Sequence, residues 1–220
     1  MKKIFLILAA AVVLSSVAWA AWADTSCTVK KHKDKVCDSF FEYETVSFAD
    51  KKYKVLENAI NGYVEKMVQE DKSFLRKNEA DFPHLKNCIA VESWGSVNAH
   101  GRYLTVHIIY WYYFGASPWY LAKSFAFDTD KNMLVNLAQI TGLSGEQIFD
   151  EILRQLYENN ELDRRDYSRL EDCLDERERY ERKLENQAFD FTDDGRIRLS
   201  FDKADFFGKP DFEFYLDVKQ

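Results

Sequence analysis

Apolar residues recur at steps of three and four in two stretches of the chain, which is the pattern of a helix with one buried face. Asp50 stands where an N-cap is expected, so the first stretch predicts a helix from Lys51. In the second, Ser144 and Gln147 form a capping box. The apolar positions are Tyr53, Leu56, Ile60, Tyr63, Val64 and Met67 in the first helix, and Ile148, Ile152 and Leu156 in the second.

Strand patterns surround these helices. Residues 27–48 and 89–97 read as strands, and residues 103–114 are apolar or aromatic on both faces, which is typical of a central strand. Residues 119–127 and 133–137 continue the sheet on either side of a polar turn. Residues 71–87 are polar and contain a proline, which indicates a loop or a broken helix.

Near the end of the chain, apolar and polar residues alternate again, as in strands. Phe189 and Phe191 lead into Asp193-Asp194-Gly195, a strong hairpin turn, and two alternating strands follow. The chain is therefore predicted to be an α+β protein, with a mainly antiparallel sheet and helices packed on it.

Residues 161–185 differ from the rest, because 17 of these 25 residues are charged. Leu170, Leu174 and Leu184 give only a thin apolar stripe. This composition predicts a charged, solvated helix that projects from the body.

The N-terminus has the features of a secretory signal peptide. Lys2 and Lys3 precede a short apolar run, and the small-residue sites Ala18-Trp19-Ala20 and Ala21-Trp22-Ala23 follow. Cleavage after Ala23 makes residues 1–23 the signal peptide and leaves no membrane anchor. We therefore expect a periplasmic or secreted protein whose 197 remaining residues build one core or two small lobes.

The net charge bears on the class of partner. Loss of Lys2 and Lys3 shifts the formal charge from −7 to −9. An acidic surface disfavours nucleic acid and would attract a basic partner, but ordinary solubility is the simpler explanation of the charge.

Four cysteines remain after cleavage, an even number that suggests two disulfides in an oxidising compartment. Three pairings are possible. We favour Cys27–Cys37, which would close a lysine-rich hairpin within residues 24–44, and Cys88–Cys173, which would tie the charged segment to the body.

Motifs for catalysis and cofactor binding are missing from the sequence. The four histidines are not spaced as zinc ligands. The stretches that begin at Asp128 and Asp190 match only the first positions of a calcium-binding loop. The nucleophile motif Gly-x-Ser-x-Gly does not occur. We predict no cofactor, no metal and no enzymatic activity. A hydrolase with two carboxylates stays open, because 37 acidic residues make any pair uninformative.

Aromatic residues near the turn at 115–118 are the best candidates for a partner-binding surface. Trp and Tyr are enriched at protein interfaces. The alternative is a sheet face covered by the first helix. The candidates are Trp111, Tyr113, Trp119 and Tyr120.

The order of segments resembles a domain of unknown function that is shared by RsiV-type anti-sigma factors and the non-catalytic part of PdaC-type peptidoglycan deacetylases. The resemblance covers residues 45–220. It rests on Gly115-Ala116, Ser124–Thr129, Leu134–Leu137, Phe189–Gly195 and Asp205–Gly208. Ser117-Pro118 departs from the family, which usually has a histidine after the Gly-Ala pair.

The resemblance implies an extracytoplasmic binding module that is not itself a catalyst, and in RsiV this domain binds lysozyme, a basic protein. The deacetylase metal motifs are not found in this sequence. We therefore predict a binding module of the bacterial envelope that recognises lysozyme or cell-wall material. The alternatives are a cell-wall-active hydrolase and a structural partner that docks through residues 161–185.

Overall fold

A computed structural model describes residues 27–115, 117–159, 162–202, 205–209 and 212–219. The predicted signal peptide lies outside these ranges. The chain divides into two compact units. Unit 1 contains the residues up to Asn98 together with Tyr112–Pro118, and unit 2 contains Ala99–Trp111 and the residues from Trp119 onward.

The fold is α+β, as predicted. A mixed sheet has the strand order β1 to β6, and a three-stranded antiparallel sheet has the order β7-β8-β9. The strands are Cys27–Val36, Ser39–Phe48, Ile89–His100, Tyr103–Tyr112, Trp119–Asp128, Met133–Val135, Ala188–Phe191, Ile197–Ser200 and Tyr215–Leu216. The α-helices, α1 to α5, are Lys54–Lys77, Leu137–Thr141, Gly145–Asn159, Arg164–Asp175 and Arg177–Leu184.

The predicted disulfides are absent from the structure, in which all four cysteines are free. Cys27 is the first residue of the ten-residue strand β1 and Cys37 follows its last residue, so the strand, which spans about 30 Å, lies between them. A disulfide needs its two Cα atoms within about 7 Å, so this pairing was wrong. Cys173 is buried in unit 2, where its thiol donates to the Tyr180 hydroxyl at 3.5 Å, whereas Cys88 is an exposed residue of unit 1.

Strand β1 lies at the edge of the sheet and pairs antiparallel with β2 over its whole length. Lys33 and Lys31 reach across to Glu42 and Glu44 on β2. Exposed lysines on an edge strand discourage pairing with other chains. The hairpin of unit 1 is therefore held by its backbone ladder rather than by a disulfide.

Strands β2 and β3 pair in parallel near Phe40–Glu42, and beyond this point polar side chains bond several backbone groups of β2. The backbone N–H of Glu44 donates to Ser93 Oγ, and that of Phe48 donates to Glu57 Oε2. Asn61 makes two bonds of 2.8 Å with the backbone of Val46, accepting from its N–H and donating to its carbonyl. Helix α1 thus replaces a missing strand neighbour.

Helix α1 follows a short 3₁₀ turn that Asp50 caps, as the sequence predicts. It continues to Lys77, so the prediction of a loop or broken helix from residue 71 was wrong at its start. The buried face extends through Val68, Lys72 and Leu75. Lys72 is only 5% exposed and is ion-paired with Asp34 of β1, so a charged residue occupies a core-facing position.

Strand β4 is buried on both faces over most of its length and lies between β3 and β5, which confirms the predicted central strand. The β5–β6 turn is stabilised by Asp128. Its Oδ1 accepts from the backbone N–H groups of Asp130 and Lys131. This calcium-like sequence is therefore a hairpin turn.

The core of unit 2 brings α3, α4 and α5 together with the phenylalanine-rich strands of the second sheet. The predicted capping box at Ser144 and Gln147 is present. The charged segment forms two helices rather than one, and it does not simply project, because Leu170, Cys173 and Leu184 are buried in this core. Within the described ranges, no helix has the length and apolarity to cross a membrane.

Candidate functional site

The four aromatic residues predicted to bind a partner are all at least partly accessible. Trp119 is 43% exposed, and the rings of Trp111 and Tyr120 in unit 2 lie 5.0 Å apart. Tyr113 belongs to unit 1, where its hydroxyl donates to Glu92 at 3.5 Å. The structure therefore brings Trp111 and Tyr120 together, and none of the four is a core residue.

Unit 1 carries an aromatic surface that the sequence did not predict. We define it as Phe74, Phe82, Tyr112 and Phe114. The rings of Phe74, Phe82 and Phe114 form a triangle with centroid distances of 5.4 to 5.7 Å, and Tyr112 lies 6.4 Å from Phe114. Phe74 is 45% exposed, although an aromatic ring of this size usually lies in a core.

Polar groups adjoin this aromatic surface along helix α1. A shallow, open groove beside Phe74 is lined also by Gln69, Glu70, Ser73 and Lys77. It offers an amide, a carboxylate, a hydroxyl and an ammonium group next to the exposed ring of Phe74. A ligand with both apolar and hydrogen-bonding parts suits such a surface better than a purely apolar one.

A buried hydrogen-bond network links the two sheets within unit 2. Ser124 Oγ donates to the carbonyl of Phe189 at 2.5 Å and accepts from its N–H at 2.8 Å. A hydroxyl has one proton to donate, so His107 must donate its Nδ1–H to Ser124, at 2.9 Å. The Ser124 proton is committed to a backbone carbonyl, and this serine–histidine pair is structural rather than nucleophilic.

Burial lowers the pKa of His107, and the nearby Asp190 partly offsets this while Arg198 adds to it. The unfolded chain binds this proton near pH 6.5, and the folded chain binds it only at lower pH. The contribution of His107 to stability is therefore complete above about pH 6.5 and is lost as the pH falls toward the folded pKa.

We expect the parent protein to lose more stability between about pH 7 and pH 5 than the variant His107→Asn, which keeps an N–H donor but does not titrate. Urea unfolding at several pH values measures this difference. His84→Asn is the matched substitution at an exposed histidine. Equal slopes for the parent and His107→Asn would contradict the assignment.

The acidic residues are distributed unevenly between the two units. Over the described span of unit 1, 12 lysines and arginines balance 12 aspartates and glutamates. The sequence of unit 2 has 16 basic and 24 acidic residues, an excess of eight negative charges. The acidic character predicted from composition is thus a property of unit 2. Among the described residues, no group of three His, Cys, Asp or Glu side chains could hold a metal ion.

No family model and no curated protein matches the chain. Its structural neighbours are proteins of the DUF3298 family, a domain of unknown function. A family member from Bacteroides fragilis is 11% identical over 79% of this chain and 81% of that chain, with a TM-score of 0.44. A second, from Pseudomonas aeruginosa PAO1, is 12% identical over 88% and 93%, with a TM-score of 0.48. Structural similarity at this level of identity and TM-score does not indicate the function of this chain.

Proposed function

We propose that the protein is an exported, non-catalytic binding module of the bacterial envelope that recognises lysozyme or cell-wall material. The signal-peptide pattern of residues 1–23 supports export, and the segment resemblance supports a binding role. The observation that carries the proposal is the aromatic surface of unit 1, because clustered rings that are exposed at Phe74 and half-buried elsewhere, beside polar groups, are typical of binding sites.

The chemistry of this surface fits both ligand classes. The rings can cover apolar parts of a peptide or of a sugar ring, while Gln69, Glu70, Ser73 and Lys77 supply hydrogen-bond donors and acceptors. Hot spots at interfaces combine these features, with an aromatic centre and a polar rim.

The test is calorimetric titration of the mature chain with a c-type lysozyme and, separately, with soluble peptidoglycan fragments. Each titration is made at low salt and at about 0.15 M salt, where exposed charges are largely screened beyond about 8 Å. We expect one of the two ligands to bind at the higher salt. The proposal fails if neither binds.

Variants of the aromatic surface locate the binding. We expect the double variant Phe74→Ala, Phe114→Ala to weaken binding by tenfold or more, about 1.4 kcal/mol. The control is Tyr157→Ala, which removes a ring on α3 of unit 2 that is 55% exposed, compared with 45% for Phe74. An equal loss in the control would place the ligand elsewhere. Circular dichroism confirms that each variant is folded.

A further inference from the structure

Two aromatic rings and a carboxylate lie close together in unit 2. The rings of Trp111 and Tyr120 have centroids 5.0 Å apart and planes tilted by 46°, and both side chains are partly exposed. Tyr120 and Ala122 point to the same side of β5, because they are two residues apart. Asp202 is fixed beside this strand, since its Oδ1 accepts from the backbone N–H of Ala122 at 2.9 Å. We call Trp111, Tyr120 and Asp202 the ring–carboxylate site.

The carboxylate of this site is partly shielded from water. Burial raises the pKa of Asp202, and the N–H of Ala122 and the charge of Lys183 partly offset this. Burial also raises the pKa of Tyr120, and the negative charge of Asp202 adds to it, so the ring and the carboxylate are near neighbours. Lys183 lies 3.9 Å from Asp202 and donates its hydrogen bond to Asp205 instead, at 2.7 Å.

Several other rings of unit 2 carry a cation of the chain at 4.7 to 5.0 Å from the ring centroid. These pairs are Arg102 with Tyr103, Arg196 with Tyr215, and Lys209 with Phe212. Among the described side chains, no cation lies over Trp111 or Tyr120 in this way, although tryptophan is the ring that attracts a cation most strongly. The negative ring faces of the site are therefore not matched by a cation from the described part of the chain.

We propose that the ring–carboxylate site binds a quaternary ammonium group such as that of choline. The negative charge of Asp202 selects a cation rather than an anion, and the two rings select a cation with apolar substituents rather than a hydrated inorganic ion. Ring faces attract such a group within about 6 Å of their centroids, and its methyl groups cover apolar ring surface. The excess of eight negative charges in unit 2 raises the local concentration of cations further.

A methylated ammonium suits this site better than the primary ammonium of a lysine side chain. A primary ammonium has three N–H donors that lose their water on binding, and each then needs an acceptor. The site offers one carboxylate, whose Oδ1 already accepts from the backbone, and two rings. The proposal goes beyond the proposed function, because it names a different surface, in unit 2, and a small cationic ligand.

The test is a titration of the mature chain with choline at constant ionic strength, followed by NMR through the methyl signal of the ligand. The matched ligand is the neutral tert-butyl analogue of choline, which has carbon in place of nitrogen and the same shape. We expect choline to bind saturably and about tenfold more tightly than this analogue, because only the charged ligand gains from the carboxylate and the ring faces.

Two variants and a control locate the bound choline. Asp202→Asn keeps an acceptor for the Ala122 N–H and removes the charge, and Trp111→Leu removes one ring. Each should weaken choline binding by about fivefold or more. The control Trp119→Leu removes a ring that is 43% exposed and points to the opposite side of β5, and it should leave the affinity within about twofold. Circular dichroism confirms that each variant is folded.

Four results would overturn the proposal. One is the absence of saturable choline binding, and another is equal binding of choline and its neutral analogue. A third is a loss of affinity in Trp119→Leu as large as in Asp202→Asn. The fourth is a different occupant, shown if acetyl-lysine amide binds more tightly than choline, or if Trp111→Leu removes binding of an oligomer of N-acetylglucosamine while choline does not compete with it.

The two proposals can fail separately. The double variant Phe74→Ala, Phe114→Ala should keep the choline affinity of the parent, and Asp202→Asn should keep any binding of lysozyme or peptidoglycan fragments. Failure of choline to bind refutes the ring–carboxylate site and leaves the proposed function standing. Choline binding without recognition of lysozyme or peptidoglycan fragments supports the site and refutes the proposed function.

Discussion

Replacing Gly145 with alanine is expected to lower the free energy of unfolding by about 2–3 kcal/mol. Gly145 is the first residue of α3 and lies directly against the backbone of α5. A Cβ atom at this position would lie 2.0 Å from the carbonyl oxygen of Glu181 and 2.7 Å from its carbonyl carbon. These are backbone atoms, so the helices themselves would have to move apart. Urea denaturation with a fluorescence probe measures the loss.

The same substitution at Gly62 is the matched control and should have the opposite sign. Gly62 lies within α1, and a Cβ atom there would have no neighbour within 4 Å. Alanine is favoured over glycine in a helix interior, so Gly62→Ala should stabilise the protein by about 0.5–1 kcal/mol. If Gly145→Ala also proved neutral or stabilising, the close approach of α3 and α5 would be wrong.

Replacing Asn61 with alanine is expected to destabilise the protein by about 2–4 kcal/mol. The substitution leaves both the N–H and the carbonyl of Val46 without the partners that Asn61 provides, each at 2.8 Å. Unpaired backbone groups of a half-buried strand cost about 1–3 kcal/mol each, and strand β3 no longer lies in register there to replace the bonds.

Asn58 provides the comparison for this prediction, since it lies one turn earlier in α1 with an exposed side chain. Asn58→Ala should be neutral or slightly stabilising, because alanine has the higher helix propensity. Similar losses in the two variants would show that Asn61 contributes through the helix alone. Hydrogen exchange of the Val46 amide gives a second readout, and we expect it to quicken only in Asn61→Ala.

The elements whose apolar residues recur at a regular spacing were predictable from the sequence. The elements that depend on a partner far away in the chain were not. The apolar steps from Leu56 to Val64 and the capping box at Ser144 are local signals, and both are present. The end of α1 was missed because Lys72 interrupts the apolar pattern. Its burial depends on Asp34, 38 residues earlier in the chain, and no local rule contains that pairing.

The charged segment illustrates the opposite error. Leu170, Cys173 and Leu184 are few, and the surrounding charges suggested a solvated helix, yet these residues are enough to anchor two short helices in the core of unit 2. A narrow stripe is sufficient when the facing surface is a dense cluster of phenylalanines. The density of that cluster follows from residues 189–214, outside the segment itself.

The candidate surfaces were only partly accessible to sequence reasoning. Aromatic enrichment near the turn at 115–118 pointed to residues close in sequence to Phe114, which belongs to the aromatic surface, but it did not select Phe114 itself. Phe74 and Phe82 lie 40 and 32 residues before it, in a stretch that read as polar. Only the packing of the end of α1 and the following turns brings their rings to Phe114.

The interleaving of the two units along the chain constrains the order in which they can be completed during synthesis. Unit 1 needs Tyr112–Pro118, so it stays unfinished until residues 99–111 of unit 2 have already emerged. Strand β4 is apolar on both faces and waits longer still for β5. A nascent chain of this topology exposes its most hydrophobic strand before either unit can fold. The chain passes between the units three times, after residues 98, 111 and 118. A chain truncated at any one of these points would leave β4 or its neighbouring strands without their partners.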